Sequence, residues 1–188
     1  MADYRLALIV EGNEEVNFLK IVNDFGRLQS GFELEVVNAE GVGNIPSLFD
    51  AYYRDLSYDE VICLLDVDNW KTDCYKTATK KLSSILGYFP KKEALFNNPN
   101  SLQLLLAPFT DEVMDASDKA GYSPLIHRCF PKMRGVYRAS KAQLRAIYQA
   151  YDRRAYLLML EKTAGYSKDP QDLPSSTFAP FLRAIEEK

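Results

Sequence analysis

The chain is 188 residues long, 47% hydrophobic, with a formal net charge of −3 and one histidine. Its length sits near the roughly 150 residues of a single domain and leaves ample apolar mass for a core. No run approaches the ~18 consecutive apolar residues of a membrane span, and Met1 to Arg5 followed by Leu6 to Val10 is too short for a signal peptide, so a cytoplasmic protein with no membrane association is expected.

The residue inventory also narrows the chemistry. Zinc catalysis on histidine needs two or three of them, and a Ser-His-Asp triad could draw only on His127, which lies in LIHRCF and is expected to be packed or at the surface. Cys63, Cys74 and Cys129 are odd in number, far apart and without a CxxC, so they read as reduced thiols and speak against structural zinc.

Taken in order, Leu6 to Val10 (LALIV) is an unbroken apolar run of the kind a doubly covered parallel strand shows. It leads into Glu11, Gly12, Asn13, Glu14 and Glu15. The helix-periodic set Val16, Leu19 and Val22 follows, with Phe18 and Phe25. Phe32 to Val37 alternates and reads as a second strand. After it, Gly41 to Asn44 fits a strand-to-helix turn, with Asn44 or Ser47 as the candidate cap and Pro46 in the first helical turn. Pro46 stands where a dinucleotide fingerprint would place its third glycine, so that motif is weak.

Val61 to Trp70 (VICLLDVDNW) is a third strand that ends in two aspartates, Asp66 and Asp68. A helix is expected over Thr72 to Leu86, and Ala94 to Phe96 reads as a short fourth strand. Asn97 to Phe109 (NNPNSLQLLLAPF) opens with residues suited to a helix N-terminus and continues into core leucines. Strands alternating with helices imply right-handed βαβ units, hence an α/β fold with a parallel sheet of about four strands flanked by helices. From Thr110 onward strand signals stop. Asp111 to Lys119, Pro124 to Met133, Ser140 to Thr163 and Ser175 to Glu187 all read as helices, the third being the longest. The chain thereby divides into an α/β part, residues 1–109, and a helical C-terminal extension, residues 110–188, packed on it.

Charge follows the same division. Up to Asp68 the bases are Arg5, Lys20, Arg27 and Arg54 against fourteen acids; from His127 to Lys162 nine bases face only Asp152 and Glu161. An acidic half joined to a basic half is the polarity a phosphodiester enzyme would use, with Lys132, Arg134, Arg138, Lys141 and Arg145 as candidate contacts to DNA or RNA. A helical surface wearing solvated arginines is the plainer alternative.

The acidic strand ends carry the chemistry. Asp66 and Asp68, two residues apart, share a face if the strand continues through them, and two like charges at a buried strand end are costly without a cation. If the first and third strands are neighbours, Glu11 joins them, and the three supply the hard oxygen ligands that Mg²⁺ or Mn²⁺ prefers. Glu11 or Glu15 would then be candidate general base. Glu15 is equally well explained as a first-turn helix acid favoured by the dipole, and Trp70 as a packed side chain.

In their order and spacing, ALIVEGNEE, AEGVGNIPSLF and LLDVDNW resemble a Toprim domain, the metal-binding α/β module of topoisomerases, primases and the overcoming-lysogenization-defect nucleases. The resemblance covers roughly Leu6 to Asn69. It places Glu11 at the family's invariant glutamate, Glu15 at the second acid of those nucleases, and Asp66 and Asp68 at the DxD. NNPNSLQLLLAPF is similar to the asparagine-proline-led helix of RloB-like proteins, small Toprim-fold proteins of restriction and phage-defence loci. That family carries a glutamate shortly after the proline and a histidine before the final phenylalanine; here those places hold Leu102, with Gln103 beside it, and Pro108. Asp111 or Glu112 is the nearest replacement.

The resemblance implies a Mg²⁺- or Mn²⁺-dependent nuclease, or nuclease subunit, of a defence system. It also allows a non-catalytic Toprim-like regulatory subunit that works with a partner ATPase. A phosphatase of the haloacid-dehalogenase type would also use a DxD. Its motif normally lies on the first strand with a small hydroxyl residue two places after the second aspartate, where this chain has Trp70.

Overall fold

Leu6, Leu8 and Val10 belong to one apolar cluster and Ala7 and Ile9 to another, so the strand they form, β1 (Tyr4–Val10), is covered on both faces. Period-two alternation makes this possible only in a sheet with helices on each side. The computed structural model describes residues 4–26, 32–66, 94–115, 118–163 and 175–176. Within them the chain runs from β1 to α1 (Asn13–Gly26), β2 (Phe32–Asn38), a 3₁₀ turn (Val42–Asn44), α2 (Ile45–Tyr53) and β3 (Glu60–Asp66). Past residue 93 come β4 (Ala94–Asn98), α3 (Ser101–Leu106), α4 (Ser123–Cys129), α5 (Lys141–Ala150), α6 (Arg153–Lys162) and the two-residue strand β5 (Ser175–Ser176). The molecule is of the α/β class, as its alternating pattern implies.

The sheet order is β2-β1-β3-β4-β5. The pairs β2/β1, β1/β3 and β3/β4 are parallel, and β5 joins antiparallel to β4. Val10 is level with Leu64, so β1 and β3 end within two residues of one another at the same edge. That edge is the carboxyl end of a parallel sheet, the crevice where α/β proteins bind ligands.

One face of the sheet carries the larger apolar cluster. Leu6, Leu8, Val10, Ile62 and Leu64 pack there against Phe18, Leu19 and Val22 of α1, and the same cluster takes in Leu102 and Leu105 of α3 and Ile147, Tyr156 and Met159 of the C-terminal helices. The helical extension and the α/β part therefore share a continuous core. The other face is smaller, where Ala7, Ile9, Val61, Cys63 and Leu65 meet Ile45 and Phe49 of α2. Cys63 and Cys129 are buried in different clusters, while Cys74 lies outside the described residues.

Several expected boundaries shift for identifiable reasons. Neither Asn44 nor Ser47 caps α2: the Asn44 amide donates back to the Ala39 carbonyl at 2.9 Å, and the Ser47 hydroxyl donates to the Asn44 carbonyl at 3.0 Å. The turn instead relies on Gly41, whose φ of 134° no other residue adopts comfortably.

The single helix expected from Ser140 to Thr163 is two, because Asp152 takes an extended conformation and caps α6 through the Ala155 N–H at 2.7 Å. Asp111 to Asp115 are not helical. Their backbone groups are captured by Gln103, which is 1% exposed: its amide oxygen accepts from the Met114 N–H at 2.8 Å and its amide nitrogen donates to the Glu112 carbonyl at 3.1 Å. Ser175 and Ser176, expected to open a helix, form β5. The helix expected over Thr72 to Leu86 lies outside the described residues. No helix among the described residues is long and apolar enough to cross a membrane.

Candidate functional site

Asp66 is the last residue of β3 and is only 5% exposed. It shares strand parity with Ile62 and Leu64, on the sheet face covered by α1 and α3. Its Oδ2 accepts the Ser101 backbone N–H at 2.9 Å and its Oδ1 accepts the Ser101 hydroxyl at 2.8 Å. Asn97, level with Asp66 on β4, adds a longer donor at 3.5 Å and also donates to the Ser101 hydroxyl at 3.0 Å. The Ser176 hydroxyl then donates to the Asn97 amide oxygen at 2.6 Å, so β5 completes the chain of hydrogen bonds. Asn97, Asn100 and Ser101 are fully buried. Such a network fixes the Asp66 carboxylate in one orientation, at the N-terminal end of α3 where the dipole favours negative charge.

A second group of acids comes from the first turn of α1. Glu15 is 6% exposed and accepts the Gly12 N–H at 2.8 Å, the return half of a capping box. Glu14 points to a different set of partners. Its Oε1 accepts from the Tyr137 hydroxyl at 2.7 Å, and its Oε2 is paired with the Lys119 ammonium. Tyr137 is 3% exposed. Burial first, then the adjacent Glu14 charge and hydrogen bond, with smaller contributions from Glu15 and Asp66, hold its hydroxyl far above the ordinary tyrosine range. Of these carboxylates, Glu14 is the one in direct contact with the buried phenol.

Glu11 occupies the bend after β1, half-buried. Its carbonyl accepts the Gly41 N–H at 2.9 Å, so the backbone still runs alongside the chain that leaves β2. Strict alternation would give Glu11 the face of Ala7 and Ile9, opposite to that of Asp66; the bend at Glu11 and Gly12 interrupts that alternation. Asp68 and Trp70 lie outside the described residues.

Hard carboxylate oxygens suit Mg²⁺ or Mn²⁺, and an oxygen accepting a hydrogen bond along one lone pair can ligate a cation along another. Among the described residues no three His, Cys, Asp or Glu side chains are placed to hold one ion. Asp66 is the described carboxylate at the end of the third strand, and a complete donor set is not formed among the described residues. Comparison with protein-family models, with curated proteins and with solved structures returned no match to this chain.

Asp111 and Glu112 are engaged in ion pairs at the surface. Asp111 is paired with Lys162 at 2.7 Å and Glu112 with Arg128 at 2.6 Å, with carboxylate side chains 93% and 62% exposed. His127 is half-buried, and its Nε2 donates to the Gly135 carbonyl at 2.8 Å, across a turn in which Gly135 has a φ of 72°.

Of the five candidate basic contacts, all are exposed, but they do not form one patch by their side-chain contacts. Arg134 donates to the Pro131 and Met133 carbonyls of its own loop. Lys132 and Arg138 lie on that same connection between α4 and α5. Lys141 and Arg145 sit one turn apart on α5 and line a groove shared with α1. Sequence reasoning missed Glu14, Lys119, Tyr137 and Ser101. Only Glu14 left a trace, as the middle acid of a three-acid stretch; the others are set by contacts between residues far apart in the chain.

Proposed function

We propose that this protein is a Toprim-like, metal-dependent nuclease or nuclease subunit, resembling the RloB-like proteins, that hydrolyses phosphodiester bonds in DNA or RNA. The observation that carries this reading is the rigid, buried Asp66 carboxylate at the carboxyl end of β3, beside the parallel strand whose end leads straight into the acids of α1. Asp66, Asp68 and Glu11 would hold Mg²⁺ or Mn²⁺, which supplies Lewis acidity and an activated water when bound. Ser101 and Asn97 orient Asp66. Glu15, its cap to Gly12 engaging one oxygen, is the candidate base through the other. Lys119 keeps a positive charge beside Glu14 at the mouth of the acidic region.

The test is hydrolysis of labelled DNA and RNA by the purified protein with Mg²⁺ or Mn²⁺, comparing Asp66→Asn. Cleavage that vanishes in the variant supports the reading, and cleavage unchanged by it sinks the mechanism.

A second reading is favoured by Gln103. Its amide nitrogen and oxygen hold the Glu112 and Met114 backbone, a structural use of the region where the RloB-like family carries its glutamate. In that reading the chain is a non-catalytic regulatory or binding subunit that works with a partner ATPase, and no cleavage appears without the added partner.

A further inference from the structure

We propose that the groove between α1 and α5 is a track for single-stranded nucleic acid that leads to the acidic end of α1. This deepens the nuclease reading and rests on it for the identity of the strand as substrate.

The groove has a volume of about 480 Å³ and is open to solvent along one side. That volume is within the roughly 300–1,000 Å³ typical of small-ligand sites and suits a nucleotide. Two matched stripes form its walls. Asn13, Val16, Asn17 and Lys20 recur at helical spacing along α1, and Lys141, Leu144, Arg145 and Tyr148 do so along α5. The α1 stripe starts one residue before Glu14, so a strand lying in the groove would have its end at the carboxylates and would follow the helix for about 10 Å.

Three properties point to such a strand. First, Lys20, Lys141 and Arg145 all border the groove, none forms an ion pair with a described residue, and no acid lines it. Cations lining one groove favour an anion lying along it. Second, the floor is apolar, made by Val16 and Leu144, and Tyr148 is held in a fixed position. Its hydroxyl donates to Asp24 at 2.8 Å beyond the groove's far end, while the Lys20 ammonium lies 4.6 Å from its ring centre. An aromatic ring beside cations suits contact with unpaired bases while phosphates are neutralised, with one face of this ring already taken by Lys20 and Phe25 packed 5.6 Å from it. Third, Asn17, 8% exposed, is one of the residues lining the groove, and its buried amide nitrogen has no hydrogen-bond partner. A buried donor of this kind is rare in a finished core. A duplex would fit less well, since its bases are stacked internally and cannot use the floor.

The experiment is fluorescence anisotropy with a labelled oligouridylate and oligothymidylate, alone and annealed to complements, in EDTA so that no cleavage occurs. The wild-type protein should bind the single strands more tightly than the duplexes. The triple variant Lys20→Gln/Lys141→Gln/Arg145→Gln should bind at least about 10-fold more weakly, and its log affinity against log salt should be shallower by about 2, since each phosphate contact on a single strand contributes roughly 0.7. Tyr148→Ala should bind several-fold more weakly. Arg54→Gln, at the C-terminal cap of α2 on the opposite face of the sheet, is the control and should change nothing. Equal binding by the triple variant, or preference for duplex, would overturn the proposal. The two ideas separate cleanly: loss of binding in the triple variant with no wild-type cleavage keeps the track and removes the nuclease, whereas Asp66-dependent cleavage with an indifferent triple variant does the reverse.

Discussion

Ser101 donates twice to Asp66, through its backbone N–H at 2.9 Å and its hydroxyl at 2.8 Å, so a single serine fixes both carboxylate oxygens at the end of the central strand. The same contact ties the start of α3 to the end of β3. Asp66 consequently has two jobs, as a helix anchor and as the acid on which the proposed chemistry depends, and substitutions can separate them.

Asp66→Ala leaves the Ser101 N–H and hydroxyl buried without an acceptor, while the Asn97 amide keeps the Ser101 hydroxyl oxygen at 3.0 Å. At roughly 1–3 kcal/mol for an orphaned group, partly relieved by water entering the space, we expect a loss of about 2–4 kcal/mol in urea unfolding. Asp66→Asn should lose less, about 1–2 kcal/mol, because its oxygen can still accept the Ser101 N–H while its amide donates to the Ser101 hydroxyl. Equal losses for both would show that the hydrogen bonds to Ser101 do not anchor the helix.

Glu15→Gln tests whether the capping glutamate also does chemistry. The glutamine oxygen can still accept the Gly12 N–H, so thermal stability should change by less than about 0.5 kcal/mol. Turnover should nevertheless fall by about 10²–10⁴-fold if Glu15 is the general base. A variant as active as the parent would confine Glu15 to its cap.

High pH offers a separate check on the region around Glu14. The Tyr137 hydroxyl is held above its ordinary value of 10.0 by burial and by Glu14, so between pH 10 and its folded value it stays protonated in the native state and ionises in the unfolded one. The unfolded state then binds fewer protons, and stability falls as pH rises above 10, by about 1.4 kcal/mol per pH unit for this one group. Tyr151, raised well above 10.0 by its burial alone, adds to the same decline. Urea denaturation from pH 9 to 11 should therefore show a shallower loss in Tyr137→Phe. Parallel curves for the two proteins would mean that Tyr137 is not sequestered.

Gln103→Ala should cost about 2–4 kcal/mol, since it opens a cavity and strips the Met114 N–H and Glu112 carbonyl of their partners. Amide exchange at Met114 should accelerate more than exchange in α5. Uniform acceleration along the chain would instead point to global destabilisation without a local latch.

What the sequence made legible follows from where burial is two-sided. LALIV and VICLLD are apolar without interruption because helices cover both faces of β1 and β3, and such runs announce themselves. Asn100 could likewise be read as a helix start, and it caps α3 through the Gln103 N–H at 3.0 Å. The break at Tyr151 and Asp152 was hidden because the apolar spacing of α5 continues nearly in phase into α6; the clue was Asp152, a capping residue inside an apparently helical stretch. The segment after Thr110 misled because its helix propensity is overridden by Gln103, a tertiary effect that no local window contains. The link from Tyr137 to Glu14 joins residues on opposite sides of the chain's charge divide, and neither one carries a pattern that names the other.

The claim on which the functional account turns is that the acids at the ends of β1 and β3 share a divalent cation. Titration calorimetry of the purified protein with Mn²⁺, repeated on Asp66→Asn and Asp68→Asn, measures it without reference to any substrate. The account predicts saturable binding by the parent protein and at least about a tenfold weaker affinity in each variant, as expected for loss of a charged ligand. Binding that is absent from the parent, or equally strong in all three proteins, would contradict it.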